Sequence, residues 1–368
     1  MSNKIRPIAI YLPQYHPIAE NDEWWGKGFT EWTNVAKAKP LFKGHEQPNL
    51  PGELGFYDLR VPEVREQQAV LAHEHGIEGF MYWHYWFAGR RILERPFQEV
   101  LESGKPDFPF CLGWANHTWS GVWEGTSQNK TLIEQTYQGI EDYKAHFYSI
   151  LPAFRDKRYI TINEKPLFLI YRPFGVPDIE IFIKTWKELA QKEKLKGICF
   201  VGFCNCDIAE EEKILNMGFD SVTPIELQMH MGEVINSKYR YRIKRKLNKL
   251  GYYKKYTKFG ILKYADFTAQ IRKNMSKLSI HSAYPMLLPN WDNSPRAGKN
   301  SLILKDSTPE LWRMHIKDTF NLVKDKPLEH RIVFIKSWNE WAEGNYLEPD
   351  RKYGRKYLEI LKEEIDKL

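Results

Sequence analysis

Short, nearly continuous apolar runs alternate along this chain with longer stretches in which apolar residues recur every three or four positions. The short runs are rich in Ile, Val, Leu and Phe and read as strands buried on both faces, and the longer stretches read as amphipathic helices. The pattern predicts strands at 8–12, 79–85, 108–114, 167–171, 198–203, 221–225, 284–288 and 332–336. Between them it predicts helices at 62–75, 92–103, 140–154, 177–193, 208–217, 309–323 and 355–367. Pro62 sits in the first turn of the 62–75 helix and Gly76 marks its stop. A further short strand at 159–162 is expected to turn through Asn163, Glu164 and Lys165 and pair with 167–171.

Eight apolar strands, mostly alternating with helices, predict a (β/α)8 TIM barrel, an α/β fold occupying 1–368 as a single domain. The rival is an open doubly wound sheet, which normally carries a glycine-rich nucleotide loop. Neither G-x-G-x-x-G nor a Walker A pattern occurs. No internal repeat and no convincing linker interrupts the alternation. One stretch departs from it, a basic insertion at about 233–280 between strands six and seven.

Composition changes the picture in two places. The chain has 368 residues, 42% hydrophobic and 27% charged, as an ordinary soluble globular protein does. Aromatics reach 14%, with 13 Trp and 20 Tyr, and many cluster at predicted strand ends, where flat rings with polar edges suit the faces of sugars. Filling a large core is the plainer use of any single ring. The formal charge of +7 is largely local, concentrated in residues 238–263, which open on Lys238, close on Lys263 and include Tyr239, Arg240, Tyr241, Arg242, Ile243, Lys244, Arg245 and Lys246. This segment reads as a solvated insertion or as a basic surface for anionic lipid or a lipid-linked glycan. Nucleic acid is not expected, since no recognisable motif accompanies the charge.

The four cysteines, Cys111, Cys199, Cys204 and Cys206, form no disulfide framework and lack the second ligand pair of a zinc site. No H-E-x-x-H spacing occurs, so neither metal nor cofactor is expected. The N-terminus enters a strand without a signal-like apolar region, and no run approaches the roughly 20 apolar residues of a membrane helix. The expected location is cytoplasmic, with peripheral attachment to the inner membrane as the variant that the basic segment suggests.

Barrel enzymes place chemistry at the C-terminal ends of their strands. Here strand one runs into Tyr11, Gln14, Tyr15 and His16, and the loop beyond it carries Trp25, Glu31 and Trp32. Strand two supplies Trp83, His84 and Tyr85, strand three Asn116 and Trp119, and strand four Tyr171. Strand six ends near Glu226, and strand seven near Trp291 and Asp292. Each has a plainer reading: His84 as a hydrogen-bonded core histidine, His16 as a loop residue, Trp25 and Trp32 as parts of a cap, Asp292 as the organiser of its own turn.

Strand eight is the most informative, ending in Trp338, Asn339, Glu340, Trp341, Ala342, Glu343 and Gly344. Two carboxylates framed by tryptophans make a plausible acid/base pair. One can stay charged while the other, desolvated, keeps a proton, and such a pair handles the two proton transfers of glycosidic cleavage. In an extended strand, residues i and i+3 face opposite sides, so Glu340 and Glu343 share a pocket only if the chain turns after Glu340. Gly344 is consistent with such a turn. The alternative leaves one glutamate in a surface salt bridge.

The opening Tyr11-Leu12-Pro13-Gln14-Tyr15-His16-Pro17, the run from Trp24 to Val35 and the closing run from Trp338 to Asp350 resemble the WbsX-type proteins over nearly the whole chain. That group is similar to glycoside hydrolase family 99, the endo-α-mannosidases and endo-α-mannanases, whose strand-eight pattern is N-E-W-H-E-G. Asn339, Glu340, Trp341, Glu343 and Gly344 match it, and Ala342 stands where those enzymes have histidine. The resemblance implies a (β/α)8 barrel and a retaining mechanism without a protein nucleophile. Carried over, Glu340 helps deprotonate the sugar 2-hydroxyl, which attacks its own anomeric carbon. Glu343 protonates the leaving oxygen and then acts as base toward the water that opens the epoxide. The absent histidine bears on sugar specificity. WbsX-type proteins are associated with O-antigen, lipopolysaccharide and capsule gene clusters and are commonly labelled glycosyltransferases.

The expectation is therefore a glycan-active enzyme, an endo-glycoside hydrolase or transglycosylase on a bacterial surface polysaccharide or its precursor. The substrate-binding set is expected at the residues named above together with Trp338, Asn339 and Trp341, around Glu340 and Glu343. A glycosyltransferase of polysaccharide assembly is the first rival, although no Asp-x-Asp motif supports it. A non-catalytic glycan-binding barrel is the second.

Overall fold

The structure is a computed structural model that describes residues 5–120, 131–224, 260–279 and 282–368. Eight parallel strands form its centre: β1 Arg6–Tyr11, β2 Gly79–Phe87, β3 Phe110–Trp114, β4 Lys165–Ile170, β5 Cys199–Cys204, β6 Ser221–Pro224, β7 Met286–Leu287 and β8 Ile332–Ile335. They pair in the order β6, β5, β4, β3, β2, β1, β8, β7. A parallel bridge between Val222 and Ala283 joins the two ends of that order, with Val222 N donating to Ser282 O and Tyr284 N to Val222 O, both at 2.8 Å. The fold is a (β/α)8 barrel.

Between the strands run α1 Pro62–Glu74, α2 Arg95–Ser103, α3 Ile140–Phe154, α4 Ile179–Lys192, α5 Ile208–Asn216, α6 Tyr264–Met275, α7 Pro309–Phe320 and α8 Lys356–Ile365. α6 was not assigned from the sequence and lies inside the 233–280 interval. Its buried Tyr264, Phe267, Ile271 and Met275 keep helical spacing, but lysines and an arginine around them give the stretch the look of a solvated insertion. β7 is the shortest strand of the barrel, because Pro285 has no N–H to give to the ladder and contributes only its carbonyl, which accepts from Phe334 N. The expected pairing at 159–162 appears as Thr161–Ile162 against β4, antiparallel. Asn163 and Glu164 both sit at positive φ, as a two-residue hairpin turn requires.

Alternation within β2 sorts the barrel interior from the helix layer. Trp83 packs on Phe203 of β5 with centroids 5.8 Å apart, inside the barrel. Tyr82 meets Phe97 of α2, and His84 meets His146 of α3, on the outside. Gly113 of β3 makes room for that interior: a Cβ there would lie 2.4 Å from Met81 Sδ. The long β1–α1 loop carries two short helices, Ala19–Trp25 and Glu31–Lys37, over the C-terminal end of the barrel.

Candidate active site

The turn after β8 has a local cause. Ser337 Oγ accepts hydrogen bonds from Asn339 N (3.1 Å) and Glu340 N (2.8 Å), bending the chain as it leaves the barrel. Asn339–Glu340 then pairs antiparallel with Asn345–Tyr346, and Trp341–Glu343 forms one 3-10 turn between them. Gly344 closes that turn at φ 58°, and a Cβ there would sit 2.9 Å from the backbone nitrogen of Asp292. The extended geometry that would send residues 340 and 343 to opposite sides is broken at Trp341.

The two carboxylates consequently feel each other. Glu340 is pushed up to about 8, first by burial and then by the charge of Glu343; Lys336 and Arg296 oppose the shift and Glu31 adds to it. Its Oε2 is buried without a hydrogen-bond partner. Glu343 is also buried but is paired: Arg296 Nη1 donates to its Oε1 at 2.6 Å. The same guanidinium reaches Glu31 Oε2 through Nε at 3.1 Å and Nη2 at 3.0 Å. Burial alone would lower the Arg296 value, but Glu31, Glu343, Glu340 and Tyr15 outweigh it and raise the value well above the ordinary one. Burial thus favours the neutral form of Glu340, whereas Glu343 is held in an ion pair by Arg296.

A second layer fixes the turn. Tyr15 OH donates to Asn339 O and accepts from Trp341 N. Trp341 stacks on Tyr346 with centroids 3.7 Å apart and donates its Nε1 to Glu348 Oε2 at 2.6 Å. Glu348 also accepts from Tyr57 OH (2.9 Å) and Gln68 Nε2 (2.6 Å), and Tyr11 OH donates to Gln68 Oε1. Trp32 lies against Tyr15 and Trp341 and donates Nε1 to Tyr57 O at 2.8 Å.

The predicted residues divide into three groups. Glu31, Tyr85, Glu340 and Glu343 are brought to one place, since the charges of Glu340 and Glu31 both contribute, after burial, to raising the Tyr85 phenol. Beside them an aromatic wall links Tyr85 to Trp119 at 5.2 Å and Trp83 to Tyr171 at 5.5 Å. Tyr15, Trp32 and Trp341 support the turn, with Trp338 anchored by its N–H to Ile10 O at 2.6 Å. Trp25 lies half-buried against Phe29, and Gln14 contributes its carbonyl to Glu31 N.

Others face elsewhere. His84 Nε2 lies 2.8 Å from His146 Nε2 in the helix layer, and burial brings His84 down to about 3. His16 is buried and brought down to about 4. Tyr11 points at α1 through Gln68. Asn116 staples strand ends together, its amide bonding both N and O of Arg172. Asn339 does the same to Leu12 N and O. Asp292 accepts from Ser294 N and Gln47 Nε2 and pairs with His45 Nε2, organising its own turn, while neighbouring Trp291 is buried. Glu226 and residues 238–259 lie outside the described residues.

Sequence reasoning missed Arg296, which follows Ser294 and Pro295 in the loop after β7. Its one signal is position: it stands at the C-terminal end of a barrel strand. Glu348, Tyr57, Gln68 and His146 were missed because each gains meaning only from a partner remote in sequence. Among the described residues, no group of three His, Cys, Asp or Glu side chains is placed to hold a metal ion.

A sequence model of the family described as Glycosyltransferase WbsX matches residues 7–361. The Uncharacterized protein WxcX of Xanthomonas campestris pv. campestris, from strains B100 and ATCC 33913, is 34% identical over 367 residues, which is 97% of this chain and 49% of that protein. The chain thus spans about half the length of the curated relatives it matches. Among solved structures, a glycoside hydrolase-like protein superposes with TM-score 0.61 at 13% identity, covering 98% of this chain and 94% of its own. The GH99 endo-alpha-mannosidase from Bacteroides thetaiotaomicron superposes with TM-score 0.60 at 14% identity, covering 98% and 97%. At such identities the likeness is one of fold.

Proposed function

The chain belongs to the WbsX family, and from that membership and the geometry at the end of β8 we propose that it is a glycan-active enzyme working through Glu340 and Glu343. One observation carries the reading: a buried carboxyl with an unpartnered oxygen stands beside a second carboxylate held by an arginine, at the strand ends where barrel enzymes do chemistry. The aromatic wall of Trp83, Tyr85, Trp119 and Tyr171 offers flat faces for sugar rings.

The reaction is cleavage or transfer at a glycosidic bond of a bacterial surface polysaccharide or its lipid-linked precursor. It follows a retaining course in which the sugar's own 2-hydroxyl attacks the anomeric carbon. Residues 1–368 act as one catalytic domain, and the composition of the basic insertion at about 233–280 supports a role in meeting anionic lipid or lipid-linked glycan at the cytoplasmic side of a membrane. No helix among the described residues is long and apolar enough to cross one.

The family's description favours a second reading, glycosyl transfer from an activated sugar. A transglycosylase, which passes the cleaved sugar to an acceptor hydroxyl in place of water, agrees with both that description and the carboxylate pair. The decisive experiment incubates the purified chain with a panel of O-antigen and capsular polysaccharides and lipid-linked oligosaccharides in water enriched in oxygen-18, read by mass spectrometry. New reducing ends carrying the label indicate hydrolysis, and unlabelled rearranged chains indicate transfer. Turnover that survives in both Glu340→Gln and Glu343→Gln removes the assignment.

A further inference from the structure

The wall of rings at the barrel mouth carries a cation that no anion answers. Tyr171, just past β4, meets Trp83 of β2 at 5.5 Å, Phe203 of β5 at 5.8 Å and His117 at 5.3 Å. The guanidinium carbon of the next residue, Arg172, lies 5.7 Å from the centre of the Tyr171 ring. A cation over a ring is attracted to the ring's negative face without giving up its hydrogen-bond donors.

Most of the described arginines pair with a carboxylate, among them Arg6, Arg65, Arg158 and Arg296, which takes two. Among the described residues no carboxylate pairs with Arg172. Its charge is felt instead by uncharged rings: by Tyr137, and by His117, which burial first and then Arg172 bring down to about 4. The fold nevertheless holds this residue still. Asn116 Oδ1 accepts from Arg172 N at 2.8 Å, Asn116 Nδ2 donates to Arg172 O at 2.9 Å, and Pro173 starts the short 3-10 turn Pro173–Gly175 directly after it. A Cβ on Gly175 would stand 3.2 Å from Arg172 Cβ, so the turn folds closely around it. A backbone fixed in this way lowers the ordering cost of binding.

We propose that Arg172 makes the chain selective for acidic glycan, its guanidinium taking the carboxylate or phosphate of a sugar unit near the one whose bond is cleaved. This rests on the glycosidic reading above. A planar fork of N–H donors matches both groups, and a cation among uncharged neighbours gains most from a ligand that brings a negative charge. The ring order says where along the glycan that charge falls. In the closed ring β4 stands opposite β8, so Arg172 and the Glu340–Glu343 turn occupy opposite sides of the mouth. A negative group on the reacting sugar would meet Glu31, Glu340 and Glu343 with Arg296 already taken by two of them. One carried farther along the glycan reaches Arg172 instead.

The polysaccharide panel tests this when each acidic polymer is paired with the same polymer made neutral, its uronic acids reduced to plain sugars or its phosphate side groups removed with hydrofluoric acid. The two kinds of pair tell a carboxylate from a phosphate. Affinity electrophoresis reads binding, and mass spectrometry reads products. The chain should prefer the acidic member about tenfold, and Arg172→Met should remove about that factor. Arg172→Lys, which keeps a point charge without the fork, should lose less. The basic residues 238–263 attract any polyanion but are the same in all three proteins, so the change on substitution decides. An acidic preference that Arg172→Met leaves whole overturns the proposal, and so does a parent chain that takes neutral members equally well. Neutral polymers cut as fast as acidic ones, with cutting lost in Glu343→Gln, would sink this inference and leave the glycosidic reading standing. Arg172-dependent binding of acidic polymers with no product from any pair would do the reverse.

Discussion

Two glutamates of the same loop, Glu340 and Glu348, share burial and differ in everything else. Both lie under 10% exposed, at 8% and 3%, and burial raises both, to about 8 and about 7. Glu348 accepts from Trp341 Nε1, Tyr57 OH and Gln68 Nε2, so the fold answers its carboxyl almost completely. Glu340 keeps a buried oxygen that the fold does not answer. A buried polar atom without a partner costs about 1–3 kcal/mol, and an unanswered oxygen beside a second carboxylate is what the proposed catalytic role of Glu340 calls for. Glu348 fixes the turn, and Glu340 is the group to which the proposed function gives the chemistry.

The largest expected effect separates the two roles by activity. Glu340→Gln and Glu343→Gln should each lower turnover about 10²–10⁴-fold on any glycan the chain cleaves; Glu340→Gln should unfold thermally near the parent, whereas Glu343→Gln also takes one carboxylate from the buried Arg296 and should unfold more readily. If Glu340→Gln unfolded as readily as a Glu348 variant, the contrast would collapse. Next comes Glu348→Ala, which strands the donors of Trp341, Tyr57 and Gln68 in the interior. It should cost about 3 kcal/mol or more in denaturant unfolding, and activity should fall only because Trp341 loosens. Tyr15→Phe tests the same support more gently. It removes the acceptor of Trp341 N and the donor to Asn339 O, for a cost of about 1–2 kcal/mol.

The smallest effect has the opposite sign. Both folded carboxyl values lie above the unfolded value of roughly 4.3. Their contribution to stability is therefore complete below that pH and is lost as pH rises through about 7 for Glu348 and about 8 for Glu340. Glu340→Gln removes the later loss, so the variant should exceed the parent in alkaline buffer and match it in acid. Urea unfolding across the pH range checks this. A parent that stays the more stable at alkaline pH would mean that the Glu340 carboxylate is satisfied after all.

The barrel was readable because its strands are buried on both faces and carry apolar runs, and its helices carry one apolar stripe each. α6 escaped because the basic residues around Tyr264, Phe267 and Ile271 obscured a stripe that was present. The turn after β8 was readable because its determinants are local: a glycine at 344, two tryptophans and two glutamates within one short run. His84 shows the limit. Strand parity placed it opposite Trp83 and Tyr85, but parity alone does not say which face looks into the barrel.

Sequence alone determined the elements, their order and the presence of a carboxylate pair, because these follow from periodicities and short-range turn chemistry along the chain. Only the tertiary structure decided that the two carboxylates are unequal. Closing the barrel brings Arg296 from the seventh strand's loop and Glu31 from the first strand's loop onto Glu343, and leaves Glu340 without such a partner. An electrostatic environment is a sum over neighbours in space, and most of those neighbours are remote in sequence.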